Sequence, residues 1–168
     1  MSSKIENICN AIDNINESIG RFAAWFVLAT VSVTFLVVVL RYGFNLGRIA
    51  LQESITYLHA FVFMIAGAYT LKHNEHVRVD IFYQDMSLKN KSKVDLFGSV
   101  FLLLPFTCFI VWISFDYVIN SWSLLEKSRE SGGLPLVYIL KTFIPAMAIL
   151  LFLQALSQCG RAWLALRE

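Results

Sequence analysis

Four long apolar stretches constrain this 168-residue chain more than any other feature of its sequence. Each runs for 18 to 20 residues without Asp, Glu, Lys or Arg, and together they cover residues 22–40, 54–71, 96–115 and 142–160. A helix of that length is about 27–30 Å long, which matches the hydrocarbon thickness of a bilayer. We therefore predict an all-α membrane protein with four transmembrane helices, forming a single membrane domain over residues 1–168.

Composition and aromatic placement agree with four membrane spans. The chain is 57% hydrophobic, with a mean hydropathy of +0.62, and its net charge of +2 is too small to indicate a nucleic-acid partner. Trp25 lies in the opening turn of the first stretch, Trp122 follows the third and Trp163 follows the fourth, as expected of interfacial rings. With their flanking turns, the predicted spans are residues 22–40, 50–72, 95–118 and 139–162.

The distribution of positive charge predicts the topology. Nine Lys and Arg residues fall on the side of the two termini and the second loop: Lys4, Arg21, Lys72, Arg78, Lys89, Lys91, Lys93, Arg161 and Arg167. Five fall on the other side: Arg41, Arg48, Lys127, Arg129 and Lys141. Because cytoplasmic loops carry the excess of positive charge, both termini are predicted to be cytoplasmic.

The segment before the first span is predicted to form an amphipathic helix over residues 3–20. Isoleucines recur at spacings of three and four, separated by acidic and amide residues: Ile5, Ile8, Ile12, Ile15 and Ile19. A short coiled coil is one interpretation. A helix lying on the cytoplasmic membrane face or on a partner is favoured. Its acidic polar face attracts anionic lipid only weakly, which argues for protein contact.

The second span carries the clearest polar pattern. Gln52, Thr56 and His59 fall on one helical face, with Gly67 beside it. Polar side chains at membrane depth should face protein, so one interpretation is a packing seam. The other is an ion or proton site at Glu53 and His59. Glu53 lies about one turn below the membrane edge, where an ionised carboxylate is expected to pair with a cation. The nearest cations in sequence are Arg41 and Arg48.

No cofactor, metal site or catalytic centre is predicted. His59 and His73 are 14 residues apart, about 21 Å along one helix, and therefore cannot ligate one haem. His73 and His76 have few hard ligands nearby. The three cysteines, Cys9, Cys108 and Cys159, are isolated in sequence. We therefore expect no enzymatic activity.

An ordered set of residues in and after the second span resembles a known signature. It comprises Gln52, Glu53, Tyr57, Phe63, Gly67, Ala68, Lys72 and the run His76-Val77-Arg78-Val79-Asp80. A later set resembles the entry to the same family's fourth helix: Gly133-Leu134-Pro135-Leu136, Lys141, Ile144-Pro145 and Leu153-Gln154. The family is the small membrane (permease) subunit of tripartite ATP-independent periplasmic (TRAP) transporters. The resemblance covers roughly residues 20–160.

The resemblance implies a non-catalytic subunit of a sodium-driven, binding-protein-dependent secondary transporter for organic acids. Such a subunit resides in the bacterial inner membrane, where it scaffolds and anchors the large elevator subunit. It also offers a docking surface to the periplasmic substrate-binding protein.

Three groups of residues are candidates for these contacts. The interface with another helix is expected at Gln52, Glu53, Thr56, His59 and Gly67. The cytoplasmic turn is expected to be fixed by His76, Arg78 and Asp80, with an Arg–Asp pair. The periplasmic docking loop is expected to present Glu126, Lys127, Arg129 and Glu130. Plain solvation is the alternative explanation for the charges of that loop.

Two other functions fit four spans. The first is a self-sufficient carrier or channel made by homo-oligomerisation. It is less favoured because the spans contain no acid at the membrane midplane and the two halves of the chain show no repeat. The second is a haem- or quinone-binding anchor of a respiratory enzyme.

Overall fold

The computed structural model describes residues 2–76 and 83–166, and the regular structure within these ranges is entirely helical. Six α-helices follow one another along the chain: α1 (Ser2–Phe44), α2 (Ile49–Ile65), α3 (Gly67–Lys72), α4 (Leu88–Gly98), α5 (Leu104–Ser123) and α6 (Val137–Ala165). A π-helical segment, Ser99–Leu103, joins α4 to α5.

Four helical units are long and apolar enough to cross a membrane. They are Ser3–Phe44, Ile49–Lys72, Leu88–Ser123 and Val137–Ala165. The second unit is α2 continued by α3, and the third is α4 continued through the π-helical segment into α5. The prediction of an all-α protein with four candidate spans is therefore confirmed for the described residues.

The bundle has two ends, which we name by the chain segments found there. At the termini end, the start of α1 lies beside the last turns of α6, as the hydrogen bond from Cys9 Sγ to the Ser157 carbonyl shows. At the loop end, α1 gives way to α2 and α5 gives way to α6. The assignment of the termini end to the cytoplasm rests on the distribution of Lys and Arg and stays a prediction.

The N-terminal segment differs from its predicted form. Residues 3–20 are helical, but they are the first half of the 43-residue α1 rather than a separate helix. Asp13 and Asn16 are buried against α6, whereas Ile8 and Ile15 are exposed. The segment therefore packs on its own chain through a stripe in which Asp13 and Asn16 lie beside the small residues Cys9 and Gly20. The predicted placement on a membrane face or a partner does not describe these contacts.

Helix α6 is the central element, since it packs against each of the other five α-helices. Its buried positions are mostly small residues: Ala148, Ala155, Ser157 and Ala162. Small side chains let helix backbones approach closely, and membrane helices pack in this way because lipid provides little hydrophobic drive for their association.

Two glycines mark the closest approaches at the termini end. A Cβ atom on Gly160 would lie 2.6 Å from Cys9 Sγ. A Cβ atom on Gly20 would overlap the side chain of Tyr69 in α3. Because these two positions have no side chain, α1 can lie close to both α6 and α3. The polar residues that the three helices contribute at this end are thereby brought near one another.

The π-helical segment lies just before Pro105 in the third unit. Proline has no N–H to donate, so a carbonyl in the preceding turn loses its usual partner and the local pitch changes. Thr107 is fully buried next to this point, and its hydroxyl contacts the carbonyls of Leu103 and Leu104. Such side-chain bonds are one way in which membrane helices tolerate a proline.

Candidate interaction surfaces

The outer face of α2 presents polar side chains away from the bundle. Gln52, Thr56 and His59 are exposed, and Gly67 is half-buried with open space where a Cβ atom would stand. None of the three polar side chains makes a hydrogen bond to the described part of the chain. The three polar side chains therefore lie outside the contacts among this chain's own described helices, and their packing against a partner helix stays a prediction.

Glu53 is turned the other way, towards the loop that joins α5 to α6. Its carboxylate accepts a hydrogen bond from the Ser128 hydroxyl and another, at 2.6 Å, from the Leu134 backbone N–H. Arg41 and Arg48, the nearest cations in sequence, do not supply these bonds. Glu53 thus ties the start of α2 to the loop between α5 and α6.

A second carboxylate fixes the same loop from within. Glu126 accepts hydrogen bonds from Lys141 and, at 2.6 Å, from Ser121. The bond from Lys141, followed by the bond from Ser121, holds the pKa of the Glu126 carboxyl below its ordinary value of 4.5. The Lys141 ammonium also lies 3.9 Å from the centre of the Tyr117 ring. Glu126 is therefore a structural residue of the loop.

The backbone of this loop is closed by its own hydrogen bonds. Leu125 follows α5 in the left-handed region, with φ at 44°, and the Glu126 N–H donates to the Ser121 carbonyl. This is the Schellman arrangement that commonly ends helices. Further along, the Ser128 N–H donates to the Leu134 carbonyl. Lys127, Arg129 and Glu130 are exposed on the resulting surface.

The predicted turn after the second span is described only in part. His76 lies within hydrogen-bond distance of the Gly67 carbonyl, at 3.1 Å from Nε2, and so folds back onto α3. Asn74 adopts a left-handed conformation, and the Glu75 N–H closes the end of α3 on the Thr70 carbonyl. Arg78 and Asp80 lie outside the described residues, so their pairing stays a prediction.

The sequence analysis did not identify a buried polar network between α1 and α6. Asp13 is 6% exposed, and its carboxylate accepts from Ser157 at 2.7 Å, from Gln154 at 3.0 Å and from Arg161 at 3.0 Å. Asn16 donates to Gln154 at 2.7 Å. The only local signal was that Cys9, Asp13, Asn16 and Gly20 recur at helical spacing between the isoleucines.

A neighbouring cluster joins α1 to α3. Glu17 accepts from Arg21 at 2.8 Å and from Lys72 at 2.7 Å, and it lies 2.9 Å from the ring nitrogen of His73. Two of these three partners come from the end of α3. The acidic residues predicted to face solvent or a partner therefore hold α1 against both α3 and α6.

The chemistry of these surfaces is that of packing and recognition. In residues 2–76 and 83–166, no three His, Cys, Asp or Glu side chains come together in a way that could hold a metal ion. The titratable clusters at both ends consist of hydrogen-bonded carboxylates and cations that link helices to one another.

The described residues form an all-helical protein with four helices long and apolar enough to span a membrane, and one of these helices has an exposed polar face. Residues 30–165 match the family described as tripartite ATP-independent periplasmic transporters, DctQ component. The match covers most of the chain, and the chain belongs to this family, which is the small permease component of TRAP transporters. This confirms the resemblance seen in the sequence, and the family is a transporter component family rather than an enzyme family. Comparison with curated proteins and with solved structures found no match.

Proposed function

We propose that this chain scaffolds and anchors the large elevator subunit of a sodium-driven, binding-protein-dependent transporter for organic acids. In this proposal the protein resides in the bacterial inner membrane with both termini in the cytoplasm. Family membership supports the role of a transporter component, and the nine-to-five excess of Lys and Arg at the termini end supports the orientation.

The outward face of α2 is the observation that carries the scaffold role. Gln52, Thr56 and His59 lie on a helix that is apolar enough to span the membrane, yet they point away from the bundle. In lipid these groups would have no hydrogen-bond partners, which is unfavourable. A second protein that covers the face resolves this, because its side chains or backbone can pair with the three groups.

Co-purification of the large subunit tests this role. In a chain co-expressed with the large TRAP subunit of its own genome, Gln52→Leu, Thr56→Val and His59→Leu are combined. We expect at least a ten-fold loss of large subunit recovered with the tagged chain in mild detergent. Hydrogen bonds between membrane helices contribute about 0.6 kcal/mol each on average, so three lost bonds together with lost complementarity give an effect of that order.

Ser32→Leu provides the matched control. Ser32 is also exposed on a spanning helix, but its hydroxyl is already bonded to the Leu28 carbonyl. This variant should retain the large subunit. Equal retention by the triple variant would remove α2 from the interface. Recovery of the unmodified chain alone, as a stable homo-oligomer, would instead favour the self-sufficient carrier.

The loop between α5 and α6 is the proposed docking surface for the periplasmic binding protein. Lys127, Arg129 and Glu130 are exposed there, on a backbone held by Glu53 and Glu126. A pre-organised loop loses little conformational entropy on binding, and exposed charges mainly orient and accelerate encounter. The loop therefore has the properties that a transient docking site needs.

A further inference from the structure

A groove at the termini end, between α4 and α6, is separate from every surface described above. Its volume is about 440 Å³, and its lining includes Lys93, Phe97, Val100, Phe101, Trp163 and Leu166. Phe97 and Phe101 are 61% and 63% exposed, and their ring centres lie 4.9 Å apart. The groove is thus an apolar channel on the outside of the bundle with one cationic residue in its wall.

Depth in the membrane distinguishes the two ends of this groove. The third apolar stretch begins at Leu96, so Lys93 stands just before it and Phe101 lies five residues inside it. At a rise of about 1.5 Å per residue, Phe101 lies about 12 Å deeper than Lys93. Trp163 follows the fourth apolar stretch, where tryptophan marks the membrane interface. The groove therefore runs from the headgroup level into the hydrocarbon.

The charges around the mouth of the groove are divided between two faces of α4. Lys89 and Lys93 are one helical turn apart and both exposed, and Phe97 continues the same face. The other charged groups of α4 are engaged elsewhere. Lys91 donates to the Gln84 carbonyl at 3.0 Å, and Asp95 accepts from the Tyr83 hydroxyl at 2.7 Å. The groove face therefore carries positive charge at its shallow end.

We propose that this groove binds one anionic phospholipid, with its phosphate at Lys89 and Lys93 and an acyl chain along Phe97, Val100 and Phe101. A cationic rim above an apolar channel complements the two parts of such a lipid. Lysines close to a membrane surface attract anionic headgroups, and basic pockets between membrane helices are known to hold them. The site is independent of the scaffold role, because it involves neither the outer face of α2 nor the loop between α5 and α6.

Fluorescence quenching of Trp163 tests the proposal. The full chain carries Trp25→Phe, Trp112→Phe and Trp122→Phe, with folding checked by circular dichroism, so that Trp163 is the only indole. It is reconstituted into phosphatidylcholine vesicles that contain an equal mole fraction of either acyl-brominated phosphatidylglycerol or acyl-brominated phosphatidylcholine. We expect markedly stronger quenching by the anionic lipid, with a preference that weakens at high salt.

Four further variants test whether the quenching depends on the groove and its lysines. Lys89→Gln and Lys93→Gln should each reduce the preference for the anionic lipid about five-fold. Lys127→Gln, at the loop end, should leave the preference unchanged. Val100→Phe narrows the groove while keeping both lysines, and it should lower quenching by both lipids.

Three outcomes would overturn the proposal. Equal quenching by the two brominated lipids in the parent protein would mean that the groove does not select anionic lipid. Unchanged quenching in Val100→Phe would mean that Trp163 senses bulk lipid rather than a seated chain. If co-reconstituted large subunit abolishes quenching by both lipids, a protein rather than a lipid occupies the groove.

Discussion

Glu53 and Gly133 meet at the loop end although 80 positions separate them in sequence. A Cβ atom on residue 133 would lie 2.5 Å from Ser128 Oγ and 2.8 Å from Glu53 Oε1. The absence of a side chain there lets Ser128 and the Leu134 N–H reach the carboxylate together. The sequence predicted a cation beside Glu53, whereas the loop between α5 and α6 supplies a hydroxyl and a backbone N–H instead.

Gly133→Ala should loosen this contact. The added methyl group must displace Ser128 or Glu53, and overpacking of this kind destabilises by about 1–3 kcal/mol. We expect a lower midpoint of unfolding in detergent and faster amide hydrogen exchange across residues 125–136. Gly98→Ala is the control, because a Cβ atom there meets nothing within 4 Å and alanine favours a helix. Equal loss in both variants would contradict the packing argument.

Among the helices, α1 packs against α6 through a stripe that includes polar residues. Asp13 and Asn16 are buried there, because α6 offers Gln154, Ser157 and Arg161 as hydrogen-bond partners. The other polar residues of the segment 3–20 are mostly exposed. The isoleucines are left partly or fully exposed on the outside. Each polar group is stabilised only because its partner is present, so the network should respond strongly to the loss of one member.

Arg161→Leu should therefore destabilise the bundle by about 2 kcal/mol, since hydrogen bonds to charged groups contribute about 1.5–3 kcal/mol. Asp13 then remains buried without its cation, and adding Asp13→Asn should recover much of the loss. Chemical unfolding of the single and double variants in micelles measures this coupling. Arg21→Leu is the control, because Arg21 is 76% exposed and pairs with Glu17 only as an i,i+4 surface contact. Purely additive effects of the two substitutions would argue against a coupled network.

Whether a feature of the helices can be predicted from the sequence depends on how far apart along the chain its residues lie. The four spans depend on composition within about 20 residues, and the polar stripe of α2 depends on helical spacing, so both are visible in the sequence. The Asn16–Gln154 and Glu53–Leu134 bonds join residues 138 and 81 positions apart. No local periodicity records such partners, and an acidic helical face has the same pattern whether it meets water or Arg161.

Across the whole molecule, the positive charges and the exposed polar residues fall into separate regions: the two ends of the bundle and the outer face of α2. The termini end holds most of the Lys and Arg, the outer face of α2 lies between the ends, and the loop end presents Lys127, Arg129 and Glu130. Lipid, the large subunit and the binding protein can therefore each take a different surface, with no competition among them under the proposed function.

Charge reversal at the loop end tests the third of these surfaces. Lys127→Glu combined with Arg129→Glu should slow binding-protein-dependent uptake by about ten-fold at low ionic strength, and the defect should shrink as salt is added. The measurement is uptake into proteoliposomes that contain the complete transporter, over a range of salt concentrations. Lys4→Glu, an exposed change at the termini end, should leave uptake unaltered. A defect of constant size at every salt concentration would indicate damage to the fold instead of lost docking.

The contact between Asp13 and Arg161 also affects the order in which the helices can pack during synthesis. These residues are 148 positions apart, so α1 is synthesised well before α6 supplies the partners of its buried polar groups. At about 5–20 residues per second, this interval is on the order of ten seconds. Until α6 has been synthesised, Asp13 and Asn16 remain hydrogen-bonded to water. During that time α1 can insert into the membrane without packing against a neighbouring helix. A chain that stops before α6 therefore leaves Asp13 and Asn16 without their partners, and its α1 is exposed to proteases.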